Sequence, residues 1–458
     1  MSTHYDAIVI GAGQAGPSLA TRLASSGRRT AIVERSRFGG TCVNVGCIPT
    51  KTLVASARAI YMAGRGDEFG FAITGAVRAD MRRIMARKND IVRQSREGIE
   101  AWLRGTPNLT VLQGHARFTG PRSLTVNEDV LSADQIFINV GARAVLPEMS
   151  DADHPRCLTN TTILDLDRIP EHLIVVGGSY IGLEFAQVFR RFGSQVTVVE
   201  RGARLIARED EDISSGLKDI LESEGIAFRL NASCIDARFH SDVATVSVDC
   251  THGAPLITGS HVLFAVGRRP NTDDLGLEHA GVTVDARGFI NVDAEARTSA
   301  EGVWALGECN GHGAFTHTAY NDYEVVAANI VSGTPRKITD RIPCYALYTD
   351  PPVGRAGMTL GEAKATGRPL LVAMRPMTRV SRAREMSETR GFMRAIVDAE
   401  TRKILGAAIF GVGGDEIVHS LLDAMYADAP VDTIARAVHI HPTITELVPT
   451  MLQELTPL

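Results

Sequence analysis

The chain has no excess of basic residues: 48 Lys and Arg stand against 53 Asp and Glu, a formal net charge of −5. A nucleic-acid partner is therefore not implied. Long apolar runs are also missing. The most apolar stretches, such as "EHLIVVGGSYIGLEFAQVF", are broken by charge, so no segment reads as a membrane span. The N-terminal "MSTHYDAIVIGAG" lacks a basic leader and runs directly into a strand pattern. A signal peptide is not expected, and a cytoplasmic location is. No segment is of low complexity. Cysteine is sparse as well, at seven residues, and in a reducing compartment these do not form a disulfide framework. Cys157, Cys234, Cys250, Cys309 and Cys344 stand singly and read as buried or inert thiols. Only Cys42 and Cys47, within "GGTCVNVGCIPTK", form a local pair.

What the sequence does contain is a duplication. The 458 residues are enough for two to four domains, and 44% apolar with 22% charged is ordinary for a globular chain. "YDAIVIGAGQAGPSLATRLASSGRRTAIVER" reads as strand, glycine turn, helix and a second strand ending at Glu34. "EHLIVVGGSYIGLEFAQVFRRFGSQVTVVER" repeats the pattern, with its second strand ending at Glu200. Both are βαβ units. Between them, "ADMRRIMARKNDIVRQSREGIEAWLRG" predicts a long amphipathic helix with a solvated basic face. Short strands and turns follow from Val111 to Pro147. From Ile338 the pattern changes to strands plus an amphipathic helix, which predicts a separate α+β domain.

The glycine loops explain the duplication. In the first, Gly11 allows a tight turn, Gly13 lets a pyrophosphate approach the backbone, and Gly16 lets helix and strand pack closely. The helix N-terminus offers free N–H groups to phosphate. Glu34 then accepts hydrogen bonds from ribose hydroxyls. The second loop holds Gly177 and Gly182, with the small Ser179 in place of a middle glycine. Glu200 favours NADH by repelling the 2′-phosphate of NADPH, whereas Arg201 and Arg204 could attract it.

The Cys42–Cys47 pair admits structural, metal-binding and redox readings. No second ligand pair lies nearby, which argues against structural zinc. Two close thiols beside a cofactor unit suit a cycling dithiol. A helix starting near Cys47 would lower its thiol pKa.

"GGTCVNVGCIPTK" resembles the redox-active segment of the class I pyridine nucleotide–disulfide oxidoreductases, the family of dihydrolipoamide dehydrogenase, glutathione reductase and mercuric reductase. The likeness spans nearly the whole chain. It takes in "GHARF", "INVGARAVLP", "GGSYIGLE", "GVWALGE" and "HIHPTITE", in that order. It implies an α/β fold with two Rossmann-like domains, for FAD and NAD(P), and a C-terminal α+β dimerisation domain. The expected division is 1–149 with 268–337 for FAD, 150–267 for NAD(P)H and 338–458 for the dimer interface.

The resemblance also implies roles. Cys42 resembles the interchange thiol that meets substrate, and Cys47 the flavin-proximal thiol. Lys51 resembles the lysine near the reactive flavin nitrogen, paired with Glu184. Tyr180 resembles the aromatic gate over the nicotinamide pocket. His441 resembles the general acid/base that serves the partner's disulfide, oriented by Glu446, so a homodimer is implied. His439 reads as structural. Expected cofactor contacts include Gly40, Thr41, His115, Ala116, Gly141, Gly267, Glu308, Thr316 and His317. Two of these depart from the family pattern: Glu308 stands where Asp is usual, and His317 where Pro or Tyr is. The C-terminus "LQELTPL" lacks the vicinal cysteines of typical mercuric reductases.

The expected activity passes electrons from NADH or NADPH through FAD and Cys42–Cys47 to a small disulfide or a soft metal ion. A metal would be held transiently by the two thiolates, with no resident metal site. "MRPMTRVSRAREMSETRGFM" looks more like mercuric-reductase-type relatives than lipoamide dehydrogenase, and its arginines (Arg375, Arg379, Arg382, Arg384) read as a solvated hairpin. Alternatives are dihydrolipoamide dehydrogenase or glutathione reductase activity, an NAD(P)H oxidase, and a non-enzymatic flavin and metal-binding module.

Overall fold

The computed structural model describes residues 3–149, 151–240, 243–250 and 253–458. The first βαβ unit comprises β1 (Thr3–Ile10), α1 (Ala15–Ser25) and β2 (Thr30–Glu34). Ala7, Ile8 and Val9 are all fully buried, as expected of a parallel strand covered on both faces. The sheet runs in the order Leu109–Gln113, β2, β1, Asp129–Ile138, Ser123–Val126, Ala116–Gly120. Val303–Ala305 returns much later in sequence to pair in parallel with Asp129–Ile138.

Two helices, α2 (Gly40–Val45) and α3 (Cys47–Ala63), follow the first unit. The predicted long helix is α4 (Met81–Arg104). Its basic face is solvated except at Lys88, which is buried and donates from Nζ to Leu164 O at 2.6 Å.

The second unit comprises β3 (His172–Val176), α5 (Tyr180–Phe192) and β4 (Gln195–Val199). Its five-stranded parallel sheet runs Ile226–Arg229, β4, β3, His261–Phe264, Cys157–Leu158. The duplication holds at atomic scale. A Cβ on Gly16 would lie 2.1 Å from Gly11 O, and one on Gly182 would lie 2.1 Å from Gly177 O. Only glycine permits that helix-to-turn approach.

After α6 (Thr316–Ala327) comes a third sheet, antiparallel throughout. Its order is β5 (Cys344–Leu347), Val353–Gly357, Ile404–Phe410, Phe392–Asp398, Leu370–Pro376, Thr456–Pro457. Helix Gly414–Tyr426 buries Ile417, Val418 and Leu421 in the same core as Met393 and Ile409.

Buried charge joins this domain to the second unit. Arg355 and Arg394 are each 1% exposed, and they pair with Glu209, Asp210 and Asp212. Breaking one partner of such a pair costs about 3–5 kcal/mol, because the other charge is left unpaired. Arg375 departs from the expected solvated hairpin. It is buried, and it reaches Glu454 at 3.1 Å and Arg379 O at 3.3 Å. Strand Leu370–Pro376 carries it inward, whereas Arg379, Arg382 and Arg384 are exposed. No helix among the described residues is long and apolar enough to cross a membrane.

Candidate active site

A cavity of about 1510 Å³ is lined by all three parts of the chain. The first unit contributes Gly11, Gly13 and Glu34, and the segments that follow it contribute Gly40, Thr41, His115, Ala116 and Gly141. Gly13 and Gly40 present bare backbone, and a Cβ on Gly40 would sit 2.7 Å from Gly13 Cα. A glycine-lined turn ahead of a helix, with a carboxylate across from it, fits the pyrophosphate and ribose of a dinucleotide. Glu34 accepts from Ala12 N and Ser36 N, both at 2.8 Å. Glu200 repeats this clamp in the second unit, accepting from Gly178 N and Gly202 N, both at 2.7 Å. Ser179 immediately precedes α5, while Arg201 and Arg204 are exposed. Gly267, in the left-handed region at φ 131°, precedes the strand Arg268–Pro270.

The cysteines enter the same cavity. Cys42 rides on α2, and Cys47 is the first residue of α3. Both are free thiols. Cys47 is held down to a pKa of about 6: the Cys42 thiol hydrogen-bonds to it, the Thr316 hydroxyl lies 3.2 Å from its sulfur, and the Lys51 charge adds to both. Burial works against these effects without cancelling them. Cys42 moves the opposite way, pushed up chiefly by that shared hydrogen bond and then by burial. At neutral pH one proton therefore stays on Cys42, and Cys47 carries the negative charge.

Lys51 lies one helical turn beyond Cys47. Its Nζ contacts Glu184 Oε2 at 2.5 Å and sits 4.5 Å above the Tyr348 ring. Glu184 is buried on α5, and its other oxygen accepts from Tyr348 N at 3.0 Å. Tyr180 opens α5 and also lines the cavity. His317 stacks on Phe315 with centroids 5.3 Å apart and donates from Nε2 to Cys344 O at 2.7 Å. Burial lowers its pKa.

Glu308 lines the cavity, but Arg268 grips its carboxylate at 2.6 and 3.0 Å. The residue expected to contact the cofactor is thus ion-paired with a neighbour. The arginine stands in "AVGRRPN", forty residues before Glu308, so no local spacing links the two. Tyr348, Phe315 and Tyr345 are further residues that sequence reasoning missed. The two tyrosines follow Lys51 and Tyr180 by well over a hundred residues, so no spacing rule links them.

The structure does not bring His441 to this group. Its Nδ1 meets Glu446 Oε2 at 2.9 Å, but the imidazole is 74% exposed and does not line the cavity. Val438 and Ile440 beside it are 98% and 80% exposed. His439 contacts Thr445 O at 3.0 Å. Of the single cysteines, Cys157 and Cys309 are buried, and Cys234 and Cys344 are half-buried. All four have pKa values raised by burial. The Cys250 side chain lies outside the described residues.

Comparison with known proteins shows the family. The family described as "Pyridine nucleotide-disulphide oxidoreductase" matches residues 5–322, and its dimerisation domain matches residues 344–452. The chain is 35% identical to the probable pyridine nucleotide-disulfide oxidoreductase RclA of Escherichia coli, over 96% of this chain and 97% of that one. It is 33% identical to dihydrolipoyl dehydrogenase of Thermus scotoductus, over 96% and 95%. A solved Cu(II) complex of the HOCl-induced flavoprotein disulfide reductase RclA from Escherichia coli superposes with a TM-score of 0.90 at 34% identity, over 99% of both chains. The chain therefore belongs to the pyridine nucleotide-disulphide oxidoreductases, enzymes of FAD and NAD(P)H, and carries their dimerisation domain.

Proposed function

We propose that this chain is a homodimeric reductase that draws on NADH and uses Cys47 and Cys42 to reduce a disulfide or a soft metal ion. The observation that carries the reading is the unequal thiol pair in the glycine-lined cavity, with Cys47 anionic and Cys42 protonated. The proposed division is 1–149 with 268–337, 150–267, and 338–458. FAD, when bound, supplies the two-electron link between the nicotinamide and the thiols.

The chain's own residues do the rest. A protonated Cys42 needs a base before it attacks. His441 suits that work, because Glu446 holds its Nδ1 and leaves Nε2 for proton transfer. Its exposure, and that of Val438 and Ile440, fits a base offered to a second copy of the chain. With a disulfide substrate, Cys42 sulfur attacks one sulfur and the substrate S–S bond breaks. The departing thiolate takes its proton from His441. The Cys47 thiolate then attacks Cys42 sulfur, releasing the second half of the substrate as a thiolate that takes its proton from water, and leaving a Cys42–Cys47 bond. With Cu(II), His441 takes the Cys42 proton and the resulting dithiolate loses two electrons to two ions, giving two Cu(I) and the same disulfide. Soft thiolates suit such an ion, and the copper complex of the RclA relative supports including it.

Glu200 supports NADH, since a carboxylate held by two backbone N–H groups stays where a 2′-phosphate would need to sit. Arg204 is turned to Ala207 O at 2.8 Å.

Anaerobic mixing of the two-electron-reduced holoenzyme with a panel of disulfides and metal salts tests the substrate. At least one member should reoxidise it faster than oxygen does. If none does, an NAD(P)H oxidase replaces this reading.

A further inference from the structure

Tyr180 does not close on empty space. Its ring meets Phe315 edge-on at 6.0 Å and Tyr345 edge-on at 5.7 Å. Phe315 and Tyr345 are nearly parallel, 5.7 Å apart at 11°, and His317 also stacks on Phe315. The three stacked rings make a wall, and Tyr180 leans on two of them. Tyr345 itself is fixed at its far end. Its hydroxyl donates to Glu209 Oε1 at 2.5 Å, and the other oxygen of Glu209 is paired with Arg355. Glu209 and Arg355 are 3% and 1% exposed, so neither swings away without stranding a buried charge.

We propose that Tyr345, anchored by Glu209, is a positioning residue that latches Tyr180 in its resting place and so sets how readily the nicotinamide pocket opens. This rests on the reading of Tyr180 as the gate. The latch joins separate parts of the chain: Tyr180 and Glu209 come from the second unit and its flank, while Tyr345 and Arg355 come from the third sheet. Opening forfeits two aromatic edge contacts, which favours the closed state by roughly tenfold. A nucleotide that needs the open state binds weaker by that fraction.

The test is the dissociation constant of whichever of NAD⁺ and NADP⁺ binds the oxidised holoenzyme, read from the perturbation of its visible spectrum. Tyr345→Phe keeps the ring and loses the anchor, and it should tighten binding about threefold. Tyr345→Leu also loses one of the two edge contacts and should tighten it at least as much, but by less than the full tenfold. Both effects should vanish in a Tyr180→Ala background, because the latch acts only through Tyr180. Unchanged or weaker binding in both Tyr345 variants overturns the latch, as does the same tightening with and without Tyr180. Tyr180→Ala alone separates the two readings. If it leaves the constant unmoved, the gate itself fails. If it tightens binding while the Tyr345 variants do not, only the latch fails. Tyr345→Phe keeps the question answerable should the leucine variant misfold.

Discussion

Cys42 and Cys47 carry the same side chain and end up with opposite charge preferences because of what touches each. Cys47 gains a hydrogen bond from Cys42, a second contact from Thr316 and the field of Lys51. In a Cys42→Ser variant, which keeps a hydroxyl donor and leaves Cys47 as the titrating thiol of the pair, thiolate absorbance should rise with a midpoint below the ordinary thiol range. The sign follows from the lowered pKa: the anion is present above that midpoint and lost below it. Adding Thr316→Val should move the midpoint upward, and a value unchanged by the valine would remove Thr316 from the account. Glu200 supports a second prediction. Steady-state kinetics should favour NADH over NADPH, and Glu200→Ala should narrow the ratio by about tenfold or more. A wild-type preference for NADPH would give the decision to Arg201 or Arg204.

At the scale of elements, the two βαβ units are the same solution used twice. Gly16→Ala would drive a methyl group against Gly11 O, and Gly182→Ala would do the same against Gly177 O. Each should cost roughly 1–3 kcal/mol of stability as the helix is pushed off its strand. The consequences should differ. The first variant should lose bound FAD, measured by absorbance after gel filtration. The second should keep FAD and raise KM for the nicotinamide nucleotide. This much was legible in the sequence because glycine spacing, strand pattern and a terminal carboxylate are local signals, and the helix start at Cys47 was legible for the same reason. The grip of Arg268 on Glu308, the ring of Tyr348 under Lys51 and the Tyr345 wall are contacts between distant segments. They arise from how the sheets pack, which no short spacing encodes. The same limit explains Arg375 and Lys88, whose charges are buried by elements far along the chain, although each looked solvated within its own segment.

At the scale of the whole molecule, one copy of the chain holds the thiols and the nucleotide cradle in a single cavity, and presents His441 on its surface beside Val438 and Ile440. A second copy would cover those apolar side chains and bring the imidazole to Cys42. Ile440→Glu should therefore lower the mass in solution from dimer toward monomer and abolish turnover, while a single chain keeps its FAD. A dimer that persists with full activity would place the interface elsewhere. Mixing Cys42→Ser subunits with His441→Ala subunits should restore activity in the hybrid dimer, since one of its two sites then holds both groups. The central claim, that electrons reach substrate through an anionic Cys47 beside the flavin, is tested most directly by anaerobic reduction of the holoenzyme with two electrons from NADH. The account predicts a long-wavelength absorption band in the reduced wild type that is lost in Cys47→Ser, whereas Cys42→Ser, which cannot form the disulfide, shows the band in the oxidised enzyme before any NADH is added. A wild-type spectrum without that band, or a band that survives in Cys47→Ser, would contradict it.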